Sequence, residues 1–187
     1  MSARSRSRRT RQAGLSLVEV SAIVSVSGVL LAIALPTLGR TIRPSKVTEA
    51  SEQLEQLYQA AAAYYATPRL QDDGRNAHCL PAAAGPTPPT PSVDPVAVDF
   101  AHAPGTAAHT WTALGFAPTS PLRFRYSFLP EASGCSRARG DQVALVLRAE
   151  GDLDGDGVYS QFERRVQLMP HGELHAEPVL HIEDRVE

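Results

Sequence analysis

Apolar and polar positions divide the chain into stretches of different period. From Leu15 to Leu38 ("LSLVEVSAIVSVSGVLLAIALPTL") the chain is one long apolar run, and Glu19 is its only charge. As a helix these residues reach roughly 36 Å, against a hydrocarbon core of roughly 30 Å. From Ser45 to Thr67 the pattern becomes a single stripe, with Val47, Ala50, Leu54, Leu57, Ala61 and Tyr64 at spacings of three and four. That spacing predicts an amphipathic helix over 39–67 that continues the first. Pro36 and Pro44 are expected to bend the helix and Pro68 to close it, with a weak point between Gly28 and Pro36.

Beyond the helix the period changes to two. Residues 81–95, "PAAAGPTPPTPSVDP", hold six prolines in 15 residues, which excludes helix or central strand and predicts an irregular surface loop. Trp111, Leu114 and Phe116 are expected to anchor the following segment on the core. Leu122, Phe124, Tyr126 and Phe128 then alternate with Arg123, Arg125 and Ser127, as in a strand with one buried face. "QVALVLRA" is apolar on both faces, as a central strand is. Phe162, Val166 and Leu168 alternate with Glu163, Arg165 and Gln167. A helix followed by three or four antiparallel strands is an α+β fold: a long N-terminal hydrophobic helix packed on a small antiparallel sheet, with the globular head over 68–187.

Charge sets the orientation. Arg4, Arg6, Arg8, Arg9 and Arg11 precede the apolar run with no acid among them, which places the amino terminus in the cytoplasm. A secretory signal would carry a shorter apolar region followed by a small-residue cleavage site. Here the candidate small residue, Gly14, comes before the apolar run. Without the five arginines the formal charge moves from −2 to about −7, so the exported part has no nucleic-acid signature. Glu19 remains to be explained, because an ionisable group in lipid costs on the order of 3 kcal/mol and needs a partner.

Gly14, Leu15, Glu19, Gly28 and Pro36, behind a basic leader over 1–14, resemble the type IV prepilin family. The resemblance implies a pilin-like fold, a peptidase cut after Gly14 and methylation of the new terminus at Leu15. It assigns Glu19, Gly28 and Pro36 to assembly, with the Glu19 carboxylate paired to the terminal amine of a neighbouring subunit. The implied partners are prepilin peptidase, other pilin subunits and the inner-membrane assembly platform. The implied location is the bacterial inner membrane, single pass with a periplasmic head, and then a pilus or pseudopilus. Leu15 stands where phenylalanine is usual, and Ser21, Ser25 and Ser27 make the segment more polar than most. Both departures fit a minor pilin. A type II secretion pseudopilin is the nearest alternative, and a signal-anchored periplasmic calcium-binding module is the alternative of another class.

Two further patterns carry chemistry. Cys79 and Cys135 lie beyond the apolar run, in what would be an oxidising compartment; a disulfide between them, worth about 4 kcal/mol in the chain-entropy model, is expected ahead of the alternative of two free buried thiols. "DLDGDGVYSQFE" has the oxygen-ligand spacing of an EF-hand calcium loop. Asp152, Asp154 and Asp156 would supply carboxylates, Val158 a carbonyl, Ser160 a hydroxyl and Glu163 two oxygens. The flanking strands argue against a full EF-hand, since a hairpin can hold the aspartates together and aim Glu163 away. His171 and His175 in "HGELH" lack the order of a zinc protease motif, and no nucleophile or phosphate loop appears, so an enzyme is not expected.

Overall fold

The apolar run and the amphipathic stripe belong to one element, helix α1, Leu17–Ala66. The computed structural model describes residues 16–135 and 143–183, without the side chains of 33–46. The chain divides into two units with the boundary between Ile42 and Arg43. In the first unit Leu17, Val18, Val20, Ile23, Val24, Val26, Val29, Leu30 and Leu31 are all exposed. Among the described residues no helix is long and apolar enough to cross a membrane. The described side chains stop at residue 32, whereas the apolar run of the sequence extends to Leu38.

In the second unit the stripe is the core-facing side of α1. Ala50, Leu54, Leu57 and Ala61 are fully buried, with Val47 and Tyr64 packed against the same cluster. The helix ends at Ala66, because Pro68 keeps Thr67 out of helical backbone. A short hairpin follows, β1 (Arg69–Leu70) with β2 (Asn76–Ala77). The main sheet comprises β3 (Ala84–Thr87), β4 (Arg125–Pro130), β5 (Val143–Gly151), β6 (Ser160–Leu168), β7 (Leu174–Ala176) and β8 (His181–Glu183). Its order is β3-β4-β5-β6-β7, with β8 also on β6, and every pairing is antiparallel. The sheet thus has more strands than periodicity indicated. β3, β7 and β8 are too short to display a period of two.

The proline-rich segment is more ordered than an irregular loop. Its start is β3, at the sheet edge where a missing N–H is tolerated. Gly85 has φ +116°, and a Cβ there would lie 2.7 Å from Ser127 Cα, so only glycine lets β3 approach β4. The rest is strapped down: Ser92 N–H donates to the Arg123 carbonyl at 2.9 Å, Arg123 Nε to the Val93 carbonyl at 3.2 Å and Arg125 Nη1 to the Pro89 carbonyl at 3.1 Å. Cys79 and Cys135 form the disulfide, beside the Leu80–Gly134 bridge.

A second helix, α2 (Ala107–Leu114), was not legible from its eight residues. It buries Trp111 and Leu114, and with Phe116 they serve as the expected anchors. Trp111 meets Phe100 edge-on at 5.2 Å, and its indole N–H donates to Thr87 Oγ1 at 2.9 Å. That bond ties α2 to β3 without leaving the buried donor unpaired.

Glu49 joins α1 to the sheet. Its Oε1 accepts the backbone N–H of Arg123 at 2.7 Å and of Phe124 at 3.3 Å, and Oε2 lies 3.6 Å from the Arg123 guanidinium. These bonds explain why the alternation begins at Leu122 but the β4 ladder only at Arg125. The two preceding amides are already taken. The Tyr126 hydroxyl makes no hydrogen bond of good geometry among the described residues. Burial first, and then the nearby Glu49 charge, push its phenol far above the usual tyrosine range.

Glu49→Ala would leave two backbone donors without their acceptor. It should destabilise the Arg43–Glu187 unit by about 2–4 kcal/mol in chemical denaturation, and Glu49→Gln by less, because an amide oxygen can still accept.

Candidate functional site

Two places carry the residues singled out by sequence. At the first, Gly14 and Leu15 lie outside the described residues. Ser16 opens α1: its carbonyl accepts Val20 N–H at 3.0 Å, the first bond of the helix. Its Oγ accepts Glu19 N–H at 3.3 Å, while its own N–H donates to Glu19 Oε2 at 2.8 Å. This reciprocal pair is a capping box, and its S-x-x-E signature was present in the sequence as "SLVE". Glu19 therefore has a partner inside its own chain, which reading it only as a docking group had missed. Ser21 is similarly self-satisfied, its hydroxyl donating to the Val18 carbonyl at 2.9 Å. Gly28 lies within α1, and a Cβ there would meet open space. Pro36 is a helical position whose side chain is outside the description.

The second place is the loop joining β5 to β6. Carboxylate oxygens of Asp152, Asp154 and Asp156 lie within 4.8 Å of one another. Two ligands at about 2.5 Å from a shared calcium ion can be at most about 5 Å apart, so the spacing admits a common cation. The carboxylates are also used by the turn itself. Asp152 accepts Gly155 N–H at 2.7 Å and Gly157 N–H at 3.2 Å, Asp154 accepts Asp156 N–H at 3.3 Å, and Asp156 accepts Val158 N–H at 2.7 Å. Side-chain-to-backbone bonds of this kind order an Asp/Gly turn on their own.

The remaining positions of the calcium pattern go elsewhere. Ser160 is fully buried at the start of β6, opposite Gly151. Glu163 belongs to the outer sheet face, where Arg148 Nη2 approaches its Oε1 at 2.7 Å and Arg165 its Oε2 at 3.6 Å. The loop is a hairpin connection, so the strand pleat, and not an exiting helix, sets the direction of Glu163. The same face carries Arg125, bound through Nε and Nη2 to Glu150 at 3.1 Å and stacked 4.8 Å from the Tyr159 ring. Farther along it, hydrogen bonds from His181 and then Gln167 hold the Glu177 carboxylate below its usual range.

Removing Glu163 should be felt as stability. Glu163→Ala leaves Arg148 without its close carboxylate and should cost the head about 1–2 kcal/mol by chemical denaturation.

The chain matches no protein-family model, no curated protein and no solved structure.

Proposed function

We propose that this protein is a structural subunit, a minor pilin, of a type IV pilus or related filament, processed by prepilin peptidase and assembled through its N-terminal helix. One observation carries the reading. At 100° per residue, the nine exposed apolar residues of α1 between Leu17 and Leu31 spread over about 260° of the helix circumference, leaving one stripe of Ser21, Ser25, Gly28 and Ala32. A helix that exposes large apolar residues over so wide an arc calls for a non-aqueous surround, either lipid or the matching helices of other subunits. The polar arm, the glycine before the run and the lone Glu19 agree with a segment that uses both in turn. Among the described residues of the head, proline interrupts both sheet edges against strand addition. One sheet edge is β3, which holds Pro86 and is followed by Pro88; the other is split between β7 and β8 around Pro178.

In this reading the inner membrane holds the precursor with its head in the periplasm, and the peptidase creates an amine at Leu15. The Glu19 carboxylate then meets the amine of a neighbour. Few competing partners exist in lipid or between packed helices, so one charge pair sets the axial register. A type II secretion pseudopilin would share these helix features. Recovery in sheared surface filaments supports the pilus; loss of secretion without surface filaments supports the pseudopilus.

Processing provides the direct test. Mass spectrometry of the native chain should show a start at methylated Leu15, and Gly14→Asp should leave the precursor uncut. Glu19→Leu should insert in the membrane yet enter filaments poorly. A native chain that keeps Met1–Gly14 in cells with an active peptidase overturns the proposal.

The clustering of three aspartates favours calcium as a cofactor of the head. Under this second reading, calcium at a hundredfold above its dissociation constant should add roughly 2.7 kcal/mol of stability, several degrees in melting temperature. Asp154→Ala should abolish that gain, and magnesium should give less. Melting curves unchanged at millimolar calcium leave the self-bonded turn as the whole account.

A further inference from the structure

We infer that the Cys79–Cys135 bond is a thiol–disulfide exchange site with assigned sulfurs. Cys135 meets the external reactant, Cys79 is the sulfur that leaves on opening and attacks on closing, and the Gln71 side-chain amide is their shared donor. The reactant is a thiol on opening and a disulfide on closing. The inference does not depend on filament assembly.

The two sulfurs differ in access. Cys79 is 3% exposed, whereas Cys135 is half-buried. In exchange a thiolate attacks one sulfur while the other departs, so access directs the attack to Cys135 Sγ and makes Cys79 the leaving thiolate. The donor reaches both. Gln71 Nε2 donates to Cys135 Sγ at 2.9 Å and lies 3.8 Å from Cys79 Sγ. The turn of the β1–β2 hairpin fixes its position: Gln71 N–H donates to the Arg75 carbonyl at 2.8 Å, and its own carbonyl accepts Gly74 N–H at 2.9 Å. A hydrogen bond to a thiolate favours the charged form, so one amide serves whichever sulfur carries the charge.

On opening, an external thiolate bonds to Cys135 Sγ, the bond between the two Sγ atoms breaks, and its electron pair leaves on Cys79, which then takes a proton. A second external thiolate attacks the external sulfur of that mixed disulfide and releases Cys135. Two external thiols have become a disulfide, and both cysteines are reduced. Closing runs the same steps backward, with an external disulfide as the oxidant. Leu80 N–H donates to the Gly134 carbonyl at 2.9 Å, and Gly134 N–H to the Leu80 carbonyl at 2.8 Å. Neither bond involves sulfur, so both keep the two segments paired while the disulfide is open. Reclosure by Cys79 is then an intramolecular step.

The test uses the full chain in detergent, with glutathione as the probe. The oxidised chain is exposed to excess reduced glutathione, quenched with acid and mapped by mass spectrometry. Glutathione should sit on Cys135 about tenfold more often than on Cys79, and in urea the two should come close to parity. Equal labelling of the folded chain, a preference for Cys79, or a preference that persists in urea overturns the inference. Gln71→Leu keeps much of the side-chain volume and removes the donor. It should slow opening by glutathione about tenfold, the effect of one hydrogen bond to a charged group. In a Cys79→Ala chain it should also raise the pH midpoint for alkylation of Cys135, a shift that a purely structural role would not produce. An unchanged opening rate with an unchanged midpoint overturns the assignment of Gln71 as the donor.

Discussion

The burial of one narrow stripe of α1 organises the head. Ala50, Leu54, Leu57 and Ala61 share a single cluster with Phe124, Tyr126, Phe128, Leu145, Leu147, Phe162 and Val166. Each buried leucine contributes about 1.5–3 kcal/mol, while the alanines at the ends of the stripe allow close approach. Apolar burial is not directional and would tolerate some sliding. Glu49, adjacent to the stripe, removes that freedom by accepting two specific amides at the entrance to β4. The helix and sheet are held by area and aligned by a carboxylate.

The same logic governs the periphery. Arg123 and Arg125 sit at the point where α1, the proline-rich strap and the acidic hairpin converge. Arg123 serves Glu49 and Val93, whereas Arg125 serves Pro89 and Glu150. The strap presents the carbonyls of Pro89 and Val93, and the guanidinium donors of Arg125 and Arg123 meet them. The acidic loop begins where packing is tightest. A Cβ on Gly151 would come within 2.5 Å of the Phe124 ring, so glycine is required there by contact with the core.

The two candidate sites share a physical theme. At Ser16–Glu19 and at Asp152–Val158, carboxylates accept neighbouring backbone N–H groups before any external partner is considered. In the hairpin this self-bonding competes with a cation, because the same oxygens serve both. At the helix start the cap uses one carboxylate oxygen, Oε2, among the described residues. The distinction depends on the count of oxygens and donors, which a motif string does not contain.

The sequence alone determined the elements whose pattern repeats. The α1 stripe, the alternation from Leu122 to Phe128, the doubly apolar β5 and the class of fold were all legible, because burial leaves a period of 3.6 or 2 over many residues. The disulfide was expected from two cysteines that both lie beyond the apolar run, and Cys79 and Cys135 form it. The capping box was also legible, in "SLVE", though it took the hydrogen bonds to expose it. Tertiary structure alone decided the short elements and the long-range bonds. α2, β3, β7 and β8 hold too few residues to show a period, and they exist because longer neighbours offer them a surface or an edge. Glu49 reaches amides more than seventy residues away. Glu163 followed the spacing of a calcium ligand, yet the pleat of β6 turned it toward Arg148. Spacing along a chain is local, whereas side-chain direction and pairing depend on which strands meet across the sheet.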